Sequence, residues 1–152
     1  MPGRGRMTVV FRISLAVGLA LALDSCQQGK NPTGPGGTLS GDITLAAGQT
    51  GDLSTISVTV YLTDPFAANP VALETAAVSG TAALAHYSFE IAHGNFYVVA
   101  WKDVNLDNVV NSGDLYGWYA GAVDTAGHPV AAFVHVLHGE SVVENVAVSV
   151  KP

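Results

Sequence analysis

The sequence holds a single cysteine, Cys26, so no internal disulfide can brace its fold. Charge is also scarce. Asp, Glu, Lys and Arg make up 12% of the 152 residues and hydrophobic residues 49%, a balance that excludes a wholly disordered chain. Basic residues are the rarest charged group, with six Lys and Arg against twelve Asp and Glu. The apolar stretch at residues 13–23 has eleven residues, well short of the roughly 20 that a membrane-spanning helix needs. Neither Gly-x-Ser-x-Gly nor His-Glu-x-x-His occurs, and the chain is therefore expected not to be an enzyme.

What is present begins with the pattern of an export signal. Arg4, Arg6 and Arg12 precede the uncharged run 13–23, as the charged and apolar regions of a secretory signal do. Leu23, Asp24, Ser25 and Cys26 follow, and this segment resembles the bacterial lipobox, with Asp24 departing from its usual small or apolar residue. The resemblance implies diacylation of the Cys26 sulfur, and two or more chains anchor stably because each buried methylene contributes about 0.8 kcal/mol. The alternative is an ordinary signal cleaved after Ala22, leaving Cys26 a free thiol. Residues 27–37 are rich in Gly and Pro and contain no aliphatic or aromatic side chain, which suits a flexible tether. The expected organisation is a signal at 1–25, a lipidated tether at 26–37 and a folded domain at 38–152. The expected location is the cell envelope, with membrane attachment through Cys26; Gln27 after the cysteine resembles a signal for outer-membrane sorting. After the signal, three basic and eleven acidic residues remain, a net charge of −8. Such a domain repels phosphate backbones and is not expected to bind nucleic acid.

Within the domain the main signal is period-two alternation, as in Ile56, Val58, Val60 and Leu62 against Ser57, Thr59, Tyr61 and Thr63. Similar runs at 38–45, 71–78, 86–92, 95–104, 130–137 and 142–150 bring the expectation to about seven strands. Gly, Pro, Asn and Asp cluster between them. The fold class expected is all-β, a single antiparallel β-sandwich. Tyr87-Ser88-Phe89 and Gly94-Asn95-Phe96-Tyr97-Val98-Val99-Ala100 resemble a phrase of prealbumin-like and carboxypeptidase-regulatory-like sandwiches. That resemblance implies an Ig-like layered fold rather than an activity.

Residues 103–114, DVNLDNVVNSGD, place oxygen-bearing side chains at positions 1, 3, 5, 9 and 12 of a twelve-residue loop. This is the spacing of an EF-hand-type Ca2+ loop, which turns alternate side chains toward one hard cation. Asp103, Asn105, Asp107 and Asp114 are the expected side-chain ligands, Asn111 acts directly or through water, and Val109 contributes its carbonyl. Val110 is the apolar residue that packs the loop down. The phrase resembles dockerin-type loops, although Asn108 stands where glycine is usual; Asn tolerates the left-handed backbone best among the other residues. Flanking residues 96–102 alternate as a strand, and 115–121 hold too much glycine for a helix, so the loop is expected to join two strands.

Other candidates carry less. His135 and His138, three apart on a strand, point to opposite faces and make a poor zinc pair. Trp101, Tyr116, Trp118 and Tyr119 gather beside the loop, and such aromatics serve either as a platform for sugar rings or as core. Core packing is the favoured reading. A protein or a glycan is accordingly the expected class of ligand.

Overall fold

The computed structural model describes residues 36–152. The expected signal, Cys26 and the tether as far as residue 35 lie outside the described residues. Ten strands and no helix occur among those described, and the fold is all-β as expected.

Alternation builds the principal strands. In β1 (Gly37–Leu45) Leu39 and Ile43 are buried between half-exposed polar neighbours; in β2 (Ser57–Tyr61) Val58 and Val60 are buried. The Ala-rich segment forms β3 (Ala72–Ala77) and β4 (Ser79–Gly80) rather than a helix. Next, β5 (Leu84–Ile91) buries Ala85, Tyr87, Phe89 and Ile91, and β6 (Gly94–Lys102) turns Phe96, Val98 and Ala100 to the same core. The chain continues through β7 (Leu115–Trp118), β8 (Val134–Val136), β9 (Ser141–Val143) and β10 (Val146–Val150). Hydrogen-bonded neighbours run β3-β2-β6-β7-β10-β1-β5-β4, with β8 beside β6 and β9 beside β1.

The arrangement differs from about seven antiparallel strands in two ways. First, β1 pairs in parallel with β9 and β10. The turn at 137–140, in which Glu140 accepts the Leu137 N–H, returns the chain to the end from which β1 starts, so both climb together. Second, the expected strand 142–150 is interrupted at Glu144 and Asn145. There the Asn145 side-chain oxygen, not a backbone carbonyl, accepts the Asp42 N–H. The segment expected at 130–137 contracts to Val134–Val136, and the strand expected to follow the loop is β7, whose bounds no alternation marked.

β10 holds two parts of the sheet together. It pairs with β1 at residues 146–148 and with β7 at Ser149 and Val150. β1 and β6 both run from one pole of the domain, where Gly37 and Gly94 lie, to the other. At that far pole the 103–114 loop carries β6 into β7.

Candidate metal centre

β6 and β7 pair from Val99 opposite Trp118 to Lys102 opposite Leu115, so residues 103–114 form the connection between adjacent antiparallel strands. That is the placement expected for the loop. Asp103 opens it as a hub: its Oδ1 accepts the N–H groups of Leu106 and Asp107 at 2.7 and 3.2 Å, and its Oδ2 accepts that of Asn108 at 2.6 Å. Folding the chain around one carboxylate forces a left-handed backbone at two residues, Leu106 with φ 63° and Asn108 with φ 61°. Asn108 thus takes the conformation for which it suits the position.

Three further side chains meet inside this turn. Asn105 donates its amide to Asp107 Oδ2 at 3.0 Å and to Asn111 Oδ1 at 3.1 Å, and Asn111 donates to the same Asp107 oxygen. Asp107 Oδ1 accepts the Val109 N–H at 2.8 Å. Side chains 105, 107 and 111 therefore converge, with Asp103 joined to them through the Asp107 N–H. Half a turn of either amide about its last bond presents an oxygen to the same point. Val109 itself is exposed, as are Val104 and Leu106, the latter to 81%.

Asp114 is placed differently. It is the buried polar residue of the domain, and its carboxylate accepts the N–H groups of Val104 and Asn111 and the Trp101 indole N–H. The Val104 and Asn111 N–H bonds, ahead of the Trp101 bond and the charge of Lys151, hold its pKa below the ordinary carboxylate value despite burial. With Oδ2 engaged twice, it chiefly ties both ends of the loop together, and one lone pair on Oδ1 remains for a cation.

Basic side chains nearby look elsewhere. Lys102 pairs with Asp52 at 3.3 Å and donates to its carbonyl, and Lys151 donates to the Val110 carbonyl at 2.9 Å. Among the described residues, Asp103, Asp107 and Asp114 enter no ion pair, and no group of three or more His, Cys, Asp and Glu is gathered as a metal set. The oxygens gathered in the loop belong to Asp carboxylates and Asn amides, the kind of donor that suits a hard ion such as Ca2+ rather than Zn2+. His86 bonds Asp42, His128 bonds Asp124 and His135 bonds Asn95, each as a separate exposed pair.

Alternation divides the four aromatics flanking the loop. Leu115 and Gly117 of β7 face the core, so Tyr116 and Trp118 face outward, their rings 5.9 Å apart and tilted by 47°. Trp101 lies opposite Tyr116 across the strand pair. Tyr119 turns the other way and packs against the core. Burial, with Tyr61 nearby, pushes the Tyr116 hydroxyl up to about 12. Two contributors escape the sequence reading: Phe66, edge-on to Trp118 at 5.4 Å, and Lys151, whose backbone pairs with Gly113 and Asp114. Both are remote in the chain, and no local pattern marks them.

Comparison with family models, with curated proteins and with solved structures finds no match to this chain.

Proposed function

We propose that this chain is an exported lipoprotein of the cell envelope, held to a membrane by acyl chains on Cys26. Its domain is a calcium-stabilised β-sandwich of prealbumin-like character with a structural or protein-binding role and no catalysis. In this reading β3-β2-β6-β7 and β4-β5-β1-β9 are the two layers, and β10 belongs to both. One Ca2+ in the 103–114 loop takes oxygens from Asp103, Asn105, Asp107, the Val109 carbonyl, Asn111 and Asp114, within the six to eight that this ion accepts. Bound there, it supplies positive charge that holds the β6–β7 connection rigid.

The observation that supports this most directly is the convergence of the Asn105, Asp107 and Asn111 side chains inside one turn, with Asp103 joined to them through the Asp107 N–H and neither carboxylate in an ion pair. Oxygens gathered without a counter-charge suit a divalent ion, which supplies the positive charge that the turn lacks. The expected outcome is a higher melting temperature in Ca2+ than in EGTA, reaching about 2.7 kcal/mol of added stability at a hundredfold excess over the dissociation constant. Asp107→Ala removes the difference. A wild-type melting curve identical in both buffers overturns the metal reading.

A further inference from the structure

Beside the loop, the outer face of β7 carries a trough of about 570 Å³. Tyr116 and Trp118 line it along β7, Phe66 and Pro129 line it from two separate turns, and Val110 and Lys151 line it beside the loop. Its volume lies within the range of small-ligand sites, roughly 300–1,000 Å³, and its lining is mainly apolar with a few polar groups, as in such sites.

We propose that this trough binds a neutral pyranose oligosaccharide. The carbon–hydrogen faces of pyranose rings are apolar and flat, and they stack on aromatic rings, while the ring edges carry hydroxyls. Tyr116 and Trp118 offer two ring faces inclined by 47°, which follow a chain of rings better than a single plane does. Phe66, nearly perpendicular to Trp118 at 81°, steadies the indole and closes one side. Ser149 and the Lys151 ammonium supply polar contacts among these apolar walls. The Trp118 indole N–H is the buried side-chain polar atom among the described residues that has no hydrogen-bond partner. An unmade bond of this kind costs about 1–3 kcal/mol, so the indole holds its place through ring packing rather than through that donor.

Charge decides against acidic sugars and other anions. Residues after the signal carry a net charge of −8, and Lys151, the one cation lining the trough, already donates to the Val110 carbonyl. Sugar binding in the trough rests on the aromatic side chains and needs no ion in the 103–114 loop.

The test titrates the folded protein with cellohexaose, xylohexaose, mannohexaose and chitohexaose, followed by tryptophan fluorescence and calorimetry. At least one of the four is expected to bind. Trp118→Ala and Phe66→Ala each weaken that binding at least tenfold while melting within a few degrees of wild type. Phe133→Ala, which removes an exposed aromatic outside the trough, leaves it unchanged. Silence from all four sugars overturns the proposal, and so does wild-type affinity in Phe66→Ala and Trp118→Ala. Binding of decanoate in their place also overturns it, because the trough then serves an acyl chain.

Discussion

Leu106 shows how one side chain dictates the backbone of another. Asp103 gathers three N–H groups, and to deliver its own, Leu106 takes φ 63° with its side chain 81% exposed. A left-handed conformation costs a residue with a Cβ roughly 1–2 kcal/mol, while Asn bears it with less strain. Leu106→Asn is therefore expected to stabilise the domain by about 1 kcal/mol, read as a rise in urea midpoint with an unchanged slope. The sequence was informative about Asn108, because its residue type advertises tolerance of that backbone. It said nothing of Leu106, whose conformation follows from a hydrogen-bond hub rather than from its own chemistry. Asp114 is a similar case. Its place at position 12 was readable from spacing, but its bonds to Val104, Asn111 and Trp101 arise only once β6 and β7 pair.

At the scale of elements, legibility followed length. The runs in β1, β2 and β5 alternate cleanly and β6 is apolar on both faces, so all four could be read within a few residues of their bounds, whereas β7 is four residues long and has glycine at its centre. That glycine has a packing reason. A Cβ on Gly117 would stand 2.9 Å from the Val148 Cα and closer still to the Ala147 carbonyl oxygen, because β7 lies directly against β10. Gly117→Ala is expected to destabilise by about 2 kcal/mol through overpacking, measured by chemical denaturation, and to weaken the Ca2+ effect by displacing the end of the loop. No increase in denaturant sensitivity would mean that the two strands stand farther apart than described. The parallel pairs of β1 were beyond the reach of periodicity, since alternation gives a strand its faces but not the direction of its neighbour.

For the whole molecule, three turns are fastened by carboxylates that titrate low. Asp52 is held down first by the Ser54 N–H, Asp114 by that of Val104 and Asp124 by that of His128, all from an ordinary value of 3.8. A depressed folded-state pKa contributes stability that is present above the unfolded value and lost as pH falls through the folded one. The melting temperature in EGTA is therefore expected to hold steady down to about pH 4 and to fall below it; a flat profile to pH 2 contradicts these assignments. A different consequence attaches to β10, which comes after every other strand in the chain and bonds to both β1 and β7. Until it arrives, neither partner is fully laced. On the export proposed above, the chain would cross a bilayer as a slack thread, and the clasp closes only once β10 is laid between β1 and β7.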